Sequence, residues 1–463
     1  MGDELARQDY LARESQGTIH PIPQRPERPP TTFTGSLAGA LRPESASGNS
    51  ATRGKVAEPW NVSWLGISRV ARGSDREGTR AWWLKEPLSS LKGRCVMKVS
   101  QVEVRSLSIP VKIPITEKIA IQGFVLVLVH TDDGVTGIGI CRDWGGGALR
   151  ELISSELGPF LTGRNPVETE RIWTEAWWEL GASYKIRTGA VARAMSAVDQ
   201  ALWDIKGKYF GQPIFRLLGG ASANSIEAYT TFGLNLLNDE ELVELARQLV
   251  RQGHDKLKMQ VMAANRGQDI RADVTRVRLV REAVGEDVKI ILDGNSKYNF
   301  VNCLKLAKRI EPYDLTHFDD PVYIKDVHLM AELRRQTTIP LAARAHGDNI
   351  WDNRDMIAGG AVDVVQPNVV DNGGYTECLK VAHMAEMYHL PLSTGGAFHL
   401  QNAHLIGGVS NGWMTEYHLL VAQASEIIFS NAPKPEGGRL PLLEKPGMGL
   451  ELDEAAVREY TVQ

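Results

Sequence analysis

The chain has 463 residues, of which 43% are hydrophobic and 23% charged, with a formal net charge of −4 at pH 7. This composition predicts a globular protein with at least one large core, and the absence of a basic stripe argues against nucleic acid or an anionic membrane as a partner. No stretch is apolar enough to span a membrane, and the start, MGDELARQDY, lacks the pattern of a secretory signal. We therefore expect a cytoplasmic protein that acts on a small molecule.

The first 96 residues differ in composition from the rest. They are rich in Pro, Arg, Ser and Gly, as in IPQRPERPPTTF and RPESASGNSATRG, and show neither the strand period of two nor the helix period of 3.6. We predict that residues 1–96 are disordered or are not part of the native protein. A regular pattern begins at Met97.

Residues 97–220 are predicted to form an α+β capping domain. The segments VEVRSLSIPV and FVLVLVHTDDGVTGIGI alternate as strands and contain an Asp-Gly turn, and amphipathic helices follow them. The loop between Pro110 and Gly123 carries Lys112 and Lys118. These lysines either meet an acidic substrate or are ordinary surface residues.

Residues 221–425 are predicted to form a parallel (β/α) barrel. Short apolar segments alternate with amphipathic helical ones at a spacing of about 25 residues, as successive barrel strands require. The predicted strands are IEAYTTF, DKLKMQV, VKIILDGN, LTHFDDP, IPLAA, AVDVVQP, LPLST and WMTEY. The overall fold class is therefore α/β, and residues 426–463 are expected to return to the capping domain.

The second barrel strand carries Lys256-Leu257-Lys258. Residues at i and i+2 of a strand face the same way, so both ammonium groups are predicted to point into the barrel mouth, where barrel enzymes place their reacting groups. Two close like charges lower each other's pKa, which would let Lys258 act as a general base near neutral pH.

Carboxylates follow the next two strands. The third ends in Asp293-Gly294-Asn295 and the fourth in Asp319-Asp320-Pro321. Hard oxygen ligands at neighbouring strand ends suit Mg²⁺. The last strand adds Glu416, either as a hydrogen-bonding partner or as a solvated acid.

The segment RAMSAVDQALWDIKGKYFGQPIFRLLGG, followed by KLK, DGN, DDP and GAVDVVQPN, resembles the mandelate racemase/muconate lactonizing enzyme branch of the enolase superfamily. The resemblance covers residues 97 to about 455. It implies a modified TIM barrel under an α+β capping domain, Mg²⁺ on three carboxylates, and removal of the proton alpha to a substrate carboxylate through an enediolate. It also implies assembly into a homo-oligomer.

The resemblance assigns roles to five of these residues. Lys258 would be the base and Lys256 its electrostatic neighbour. Asp293 and Asp319 would be metal ligands, and Glu416 would lie on the opposite side of the substrate.

The stretch LAARAHGDN departs from the family pattern. The third metal ligand is expected at the end of the fifth strand, where Ala345 stands after Arg344. Alanine cannot bind a metal. We therefore predict Asp348 as the third ligand, with His346 as a supporting residue because imidazole is a poor ligand for Mg²⁺.

The family's second base is also replaced. In similar proteins it is a histidine after the seventh strand, oriented by an aspartate after the sixth, and these places fall on Gly395 or Gly396 and on Asn368. Neither residue type can carry the proton. His399, a few residues further on, is the candidate to replace it.

A dehydratase tolerates the loss of a second base better than a racemase does. We therefore predict a lyase that dehydrates a polyhydroxy (sugar) acid, with His399 or a water assisting the departing hydroxyl group and with Asn295 and Asn368 as supporting residues. The alternatives are a racemase, epimerase or cycloisomerase of a carboxylic acid, and a barrel that binds a carboxylate without catalysis.

Overall fold

The computed structural model of the protein describes residues 97–143, 147–179, 189–222, 224–233, 236–261, 269–344 and 350–462. The predicted N-terminal extension, residues 1–96, lies outside them. So does the loop that contains Ala345, His346 and Asp348.

The capping domain is built on a four-stranded antiparallel sheet in the order β13-β1-β2-β3. Its strands are β1 (Val99–Lys112), β2 (Ile119–Thr131), β3 (Thr136–Arg142) and β13 (Thr461–Val462). Strands β1 and β2 form a long hairpin, and the last strand of the chain pairs with the outer edge of β1. The C-terminal segment thus joins the capping sheet.

Five helices complete this part of the chain. They are α1 (Ala148–Leu152), α2 (Gly158–Leu161), α3 (Thr169–Glu179), α4 (Gly189–Phe210) and α5 (Ile214–Leu218), with a π-helical turn at Ile153–Leu157. Helix α4 packs against β3 at backbone contact, because a Cβ on Gly139 would lie 1.8 Å from the carbonyl oxygen of Ala197. The segment TGIGI therefore needs its glycines for packing.

Two carboxylates on α4 connect the domains. Asp199 accepts hydrogen bonds from the N–H of Thr376 (3.0 Å) and from its hydroxyl group (2.5 Å). Asp204 accepts from the N–H groups of Ile138 (2.9 Å) and Met448 (2.7 Å). Both side chains are buried. The aspartates of MSAVDQALWDIKG are thus satisfied structural groups that join the helix to the barrel, the capping sheet and the C-terminal segment.

The barrel has eight parallel strands and is closed by the pairing of β11 with β4. The strands are β4 (Ser225–Gly233), β5 (Lys256–Gln260), β6 (Lys289–Asp293), β7 (Leu315–Asp319), β8 (Leu341–Ala343), β9 (Val364–Val365), β10 (Leu392–Thr394) and β11 (Gly412–His418). A short strand, β12 (Arg439–Pro441), pairs antiparallel with the start of β4. The predicted fold class, a modified TIM barrel with an α+β capping domain, is confirmed.

Helices surround the barrel. They are α6 (Asp239–Arg251), α7 (Ile270–Val284), α8 (Phe300–Ile310), α9 (Val327–Gln336), α10 (Ile350–Ala358), α11 (Gly374–Met387), α12 (His399–Gly408) and α13 (Leu419–Ile428), with a 3-10 turn at Glu311–Tyr313. The last helix, α14 (Glu454–Tyr460), packs against β1 of the capping sheet. Helix α6 begins with a capping box of Asn238 and Glu241 and buries Leu242, Leu245 and Leu249 on one face. None of the helices described is long and apolar enough to cross a membrane.

The barrel interior is apolar at mid-height and polar above. Tyr229, Ile291 and Met414 form a small buried cluster there, and the Tyr229 hydroxyl group donates to the carbonyl oxygen of Thr394 at 2.9 Å. A filled interior is usual for this fold, so a ligand must bind above this layer, at the carboxyl ends of the strands.

Candidate active site

A cavity of about 190 Å³ opens at the carboxyl ends of the barrel strands, and its lining is mostly polar. Strands or turns on several sides of the barrel contribute side chains, and the capping domain contributes one from the end of β3. The charged lining residues are Arg142, Lys258, Asp293, Asp319, Asp320, Arg344 and Glu416, and His418 lies beside them.

Lys258 lies at the centre of a group of carboxylates. Its Nζ is 3.0 Å from Asp293 Oδ2 and 3.8 Å from Glu416 Oε1, and it donates a hydrogen bond to Asp319. We call these four residues the carboxylate cluster. Burial alone would lower the pKa of Lys258, but Asp293 and Asp319 raise it well above its usual value. The two aspartates therefore favour the ammonium form of Lys258.

Two interlocked turns hold the aspartates in place. Asp293 ends β6, and the N–H of Asn295 donates to its Oδ1 at 2.9 Å. The N–H of Gly294 donates to the carbonyl oxygen of Asp319, the last residue of β7, at 2.8 Å. A Cβ on Gly294 would lie 2.9 Å from the carbonyl oxygen of Asp320. The DGN and DDP segments are thus paired turns that aim two carboxylates at one point.

The cluster holds three carboxyl groups and one lysine. Burial raises the pKa of Asp293 and of Asp319; Lys258 lowers both, and the nearby Asp320 raises both. Two buried carboxylates that already share one cation suit Mg²⁺, which commonly takes one or two carboxylates and keeps several waters. Among the residues that the structure describes, no three metal-binding side chains converge. The predicted third ligand, Asp348, lies outside them.

Glu416 is buried and fully hydrogen-bonded. Its Oε1 accepts from the Thr231 hydroxyl group (2.5 Å) and its Oε2 from the N–H of Ala397 (2.8 Å). Burial alone would raise its pKa, but Lys258 and these hydrogen bonds contribute to lowering it to about 2. Of the two interpretations of Glu416, the geometry favours the hydrogen-bonding partner over the solvated acid.

Lys256 does not reach the cavity, and the expectation that it lies beside Lys258 needs correction. It is the first residue of β5, so its ammonium group lies about two residues deeper, at the opposite end of the barrel. There it contacts Asp255 at 2.8 Å and Glu227 at 3.5 Å. The i, i+2 rule predicted the shared face, but it could not show where the strand begins.

Arg344 occupies the space where the family's second base was expected. A Cβ on Gly396 would lie 1.9 Å from Arg344 Nη1 and 2.9 Å from Asn368 Nδ2. Asn368 is buried and donates to the carbonyl oxygen of Gly395 at 2.8 Å, which fixes this turn. Glycine stands where the family has a histidine, and the space that a side chain would need there is filled by the guanidinium group of Arg344.

Two arginines pair with one aspartate on this side of the cavity, and a third arginine lies near them. Arg344 Nη1 lies 2.9 Å from Asp371 Oδ2, and Arg193 Nε lies 3.1 Å from Asp371 Oδ1. Arg142, at the end of β3, has its guanidinium carbon 5.3 Å from the centre of the Phe398 ring. We call Arg142, Arg193 and Arg344 the arginine wall; Arg142 and Arg344 line the cavity directly.

His399 does not line the cavity, so its predicted catalytic position needs correction. It is the first residue of α12 and is fully buried, with its ring centre 4.8 Å from that of Tyr417. Burial lowers its pKa to about 3. As the first residue of a buried helix, His399 points its side chain into the protein and not into the cavity. Its position in the sequence, a few residues after the expected one, could not show which way the side chain points.

His418 lines the cavity instead, and the sequence reasoning missed it. It ends β11 two residues after Glu416, so the same i, i+2 rule could have found it. Its Nδ1 is buried and has no hydrogen-bond partner in the part of the chain that the structure describes. Burial lowers its pKa to about 4, so the ring is neutral at neutral pH.

Three predicted residues remain. Asn295 lines the cavity, and its Nδ2 has no hydrogen-bond partner among the described residues. Lys112, the last residue of β1, pairs with Glu117 at 2.9 Å, and Lys118, in the loop after β1, donates to the carbonyl oxygen of Leu236 at 3.4 Å. Arg142 and Arg344 carried no role in the sequence reasoning, because no local pattern links residues so far apart.

Comparisons with known proteins agree with this architecture. Residues 96–219 match the family described as mandelate racemase/muconate lactonizing enzyme, N-terminal domain, and residues 241–456 match the family described as enolase C-terminal domain-like. An arabinonate dehydratase from Saccharolobus solfataricus is 30% identical over 345 residues, which is 72% of this chain and 89% of that protein.

Three solved structures are similar over 79% of this chain. A racemase from Streptomyces coelicolor with bound magnesium is 26% identical over all of its chain, with a TM-score of 0.71. A 3,6-anhydro-D-galactonate cycloisomerase from Zobellia galactanivorans is 28% identical over all of its chain (TM-score 0.69). An L-talarate dehydratase from Polaromonas, complexed with Mg and L-glucarate, is 26% identical over 98% of its chain (TM-score 0.70).

Proposed function

The chain belongs to the mandelate racemase/muconate lactonizing enzyme branch of the enolase superfamily, and from this premise we propose that it is a magnesium-dependent dehydratase of a sugar acid. The coarser assignment is an acid-sugar dehydratase or isomerase. The choice of dehydration rests on the residues of the cavity itself.

One observation carries that choice. The place of the family's second base holds the guanidinium group of Arg344 beside Gly396. A guanidinium group stays protonated and cannot accept a proton. Racemisation needs proton transfer on both faces of the substrate, whereas β-elimination needs one base and a path for the leaving group. A fixed cation opposite a single base therefore favours elimination.

Lys258 would remove the proton alpha to the substrate carboxylate. Its Nζ lies between Asp293, Asp319 and Glu416, where a bound substrate would present its carboxylate end. Glu416 is ionised and held by Thr231 and Ala397, so it orients the ammonium group and does not itself supply the proton.

Asp293 and Asp319 would hold the Mg²⁺, with Asp348 as the proposed third ligand. When bound, the ion stabilises the negative charge that develops on the substrate carboxylate. Asp293 and Asp319 raise the pKa of Lys258. Carboxylates whose charge is shared with a bound cation would raise it less, which an amine that accepts a proton requires.

His418 would contact the hydroxyl group that leaves from the beta carbon. Its neutral ring lines the cavity, and its buried Nδ1 has no hydrogen-bond partner among the described residues. It thus replaces His399 in the proposed mechanism. A contact of this kind weakens the bond to the departing oxygen and typically contributes 10²–10⁴-fold to the rate.

Proton exchange in D₂O tests the proposal. The protein with Mg²⁺ is incubated with a panel of sugar acids, and NMR follows the alpha proton and the appearance of a 2-keto-3-deoxy product. We expect at least one acid to exchange and eliminate, and Lys258→Ala to reduce exchange by at least about 10³-fold, since it removes the base.

Lys256→Met is the matched control. It removes a lysine of the same strand that contacts Asp255 and Glu227 away from the cavity. It should leave exchange within a few-fold of the wild type, although it can lower stability. Exchange without elimination would favour an epimerase, a rearranged product without loss of water would favour a cycloisomerase, and no exchange with any acid would contradict the catalytic proposal.

A further inference from the structure

The cavity has two walls of opposite charge. Lys258, Asp293 and Asp319 lie on strands β5 to β7, whereas Arg142 and Arg344 lie at the ends of β3 and β8. Glu416, on β11, completes the carboxylate cluster. In the proposed function the first wall binds the reacting end of the substrate, and Arg344 enters only as a group that cannot accept a proton. A monocarboxylic sugar acid would present its single charge to the metal side and only hydroxyl groups to the arginines.

The arginine wall is built as a fixed site. Asp371 is 4% exposed and divides its two oxygens between Arg193 and Arg344, whose side chains are 16% and 11% exposed. The N–H of Arg344 also donates to Asp320 Oδ1 at 3.0 Å, which anchors the residue at the strand end. One carboxylate thus orients two guanidinium groups, and only one of them faces the cavity.

Arg142 brings a further positive charge from the capping domain. Its guanidinium nitrogen lies 3.5 Å from the carbonyl oxygen of Gly396, above the Phe398 ring. Burial lowers its pKa, Asp371 raises it, and the nearby Arg344 lowers it further. A bound anion at this place would offset both the burial and the repulsion between the two guanidinium groups.

We propose that the arginine wall binds the second carboxylate of a dicarboxylic (aldaric) sugar acid, through Arg142 and Arg344. The planar fork of a guanidinium group pairs with the two oxygens of a carboxylate. This inference rests on the proposed function, because it takes the carboxylate cluster as the site of the first carboxylate. The relative that is an arabinonate dehydratase would indicate a substrate with one carboxylate, whereas the arginine wall indicates a substrate with two.

Matched substrate pairs test the inference. Galactonate and galactarate, and gluconate and glucarate, differ only in whether the terminal carbon is a hydroxymethyl or a carboxylate group. We expect the wild-type protein to show a kcat/KM at least tenfold higher for the aldarate of the reactive pair. Arg142→Met should remove most of that preference, mainly through KM, and Arg142→Lys should keep part of it.

Arg354→Met is the control for a lost arginine. Arg354 is exposed and pairs with its neighbour Asp355 at 2.7 Å, remote from the cavity lining. It should keep the wild-type preference. An equal or higher kcat/KM for the aldonate, or Arg142→Met lowering both members of a pair equally, would overturn the inference. So would a preference for an aldonate phosphorylated at its terminal carbon over the aldarate.

Binding separates this inference from the proposed function. Lys258→Ala protein with Mg²⁺ is titrated calorimetrically with each member of a pair. Tighter binding of the aldarate, lost in Lys258→Ala/Arg142→Met, would support the arginine wall even if the wild type exchanged no proton. Exchange and elimination without any preference for the aldarate would support the dehydratase and contradict the proposal that the arginine wall binds a second carboxylate.

Discussion

The two sides of the barrel mouth use charge in opposite ways. On one side, Asp293 and Asp319 converge on one lysine, and two carboxylates that share one cation suit a metal ion. On the other, Asp371 is already divided between Arg193 and Arg344, so the charges hold each other in place. The first arrangement is suited to chemistry and the second to orientation, because a reacting group must change its charge state while a binding group must keep it.

Removing a carboxylate from the first side should have the largest effect. Asp319→Asn leaves the shape of the β7 turn but takes away one of the two carboxylates proposed to hold the metal and the hydrogen-bonding partner of Lys258. We expect alpha-proton exchange to fall more than the 10–100-fold that loss of a group supporting a metal ligand costs. Metal analysis after gel filtration should show less retained Mg²⁺. Full retention with normal exchange would remove Asp319 from the metal site.

Changing the histidine between the two sides should have an intermediate effect. His418→Gln keeps a polar side chain of similar length but cannot transfer a proton. We expect dehydration to fall by about 10–100-fold while alpha-proton exchange falls less, because Lys258 acts before the hydroxyl group leaves. NMR in D₂O measures both rates in one sample. An equal loss of both would indicate that His418 positions the substrate as a whole.

Adding a methyl group on the second side should have the smallest effect on chemistry. In Gly396→Ala the new Cβ would lie 1.9 Å from Arg344 Nη1, on a residue whose φ is +82°. The backbone strain alone should lower the free energy of unfolding by about 1–3 kcal/mol, and displaced Arg344 should weaken aldarate binding. Denaturant unfolding and calorimetry measure the two effects. Unchanged stability and affinity would show that this turn and Arg344 adapt freely.

How well each side could be predicted follows from how far apart its residues lie in the chain. The carboxylate cluster was readable because Asp293 and Asp319 each end a short apolar strand next to the strand that carries Lys258. Parallel barrel strands bring such ends together. The prediction for Lys256 was wrong because β5 continues two residues beyond Lys258, to Gln260, so that Lys256 stands at the start of the strand. Strand boundaries are the least certain part of a prediction from sequence.

The arginine wall could not be read in this way. Arg142 comes from the capping sheet, Arg193 from helix α4 and Arg344 from the fifth barrel strand, and Asp371 follows the sixth. Each arginine alone resembles an ordinary surface residue. His399 illustrates the reverse: a histidine at a plausible distance from the expected position turns into the protein, because helix α12 begins there.

By itself, the sequence determined the fold class, the family and the polar ends of the barrel strands, because hydrophobic periodicity and short motifs are local properties. Only the tertiary structure decided that Lys256 lies at the far end of the barrel, that His418 and not His399 faces the cavity, and that Arg344 fills the space beside Gly396. The physical reason is that side-chain direction and close approach depend on how distant segments pack, which no pattern along one segment records.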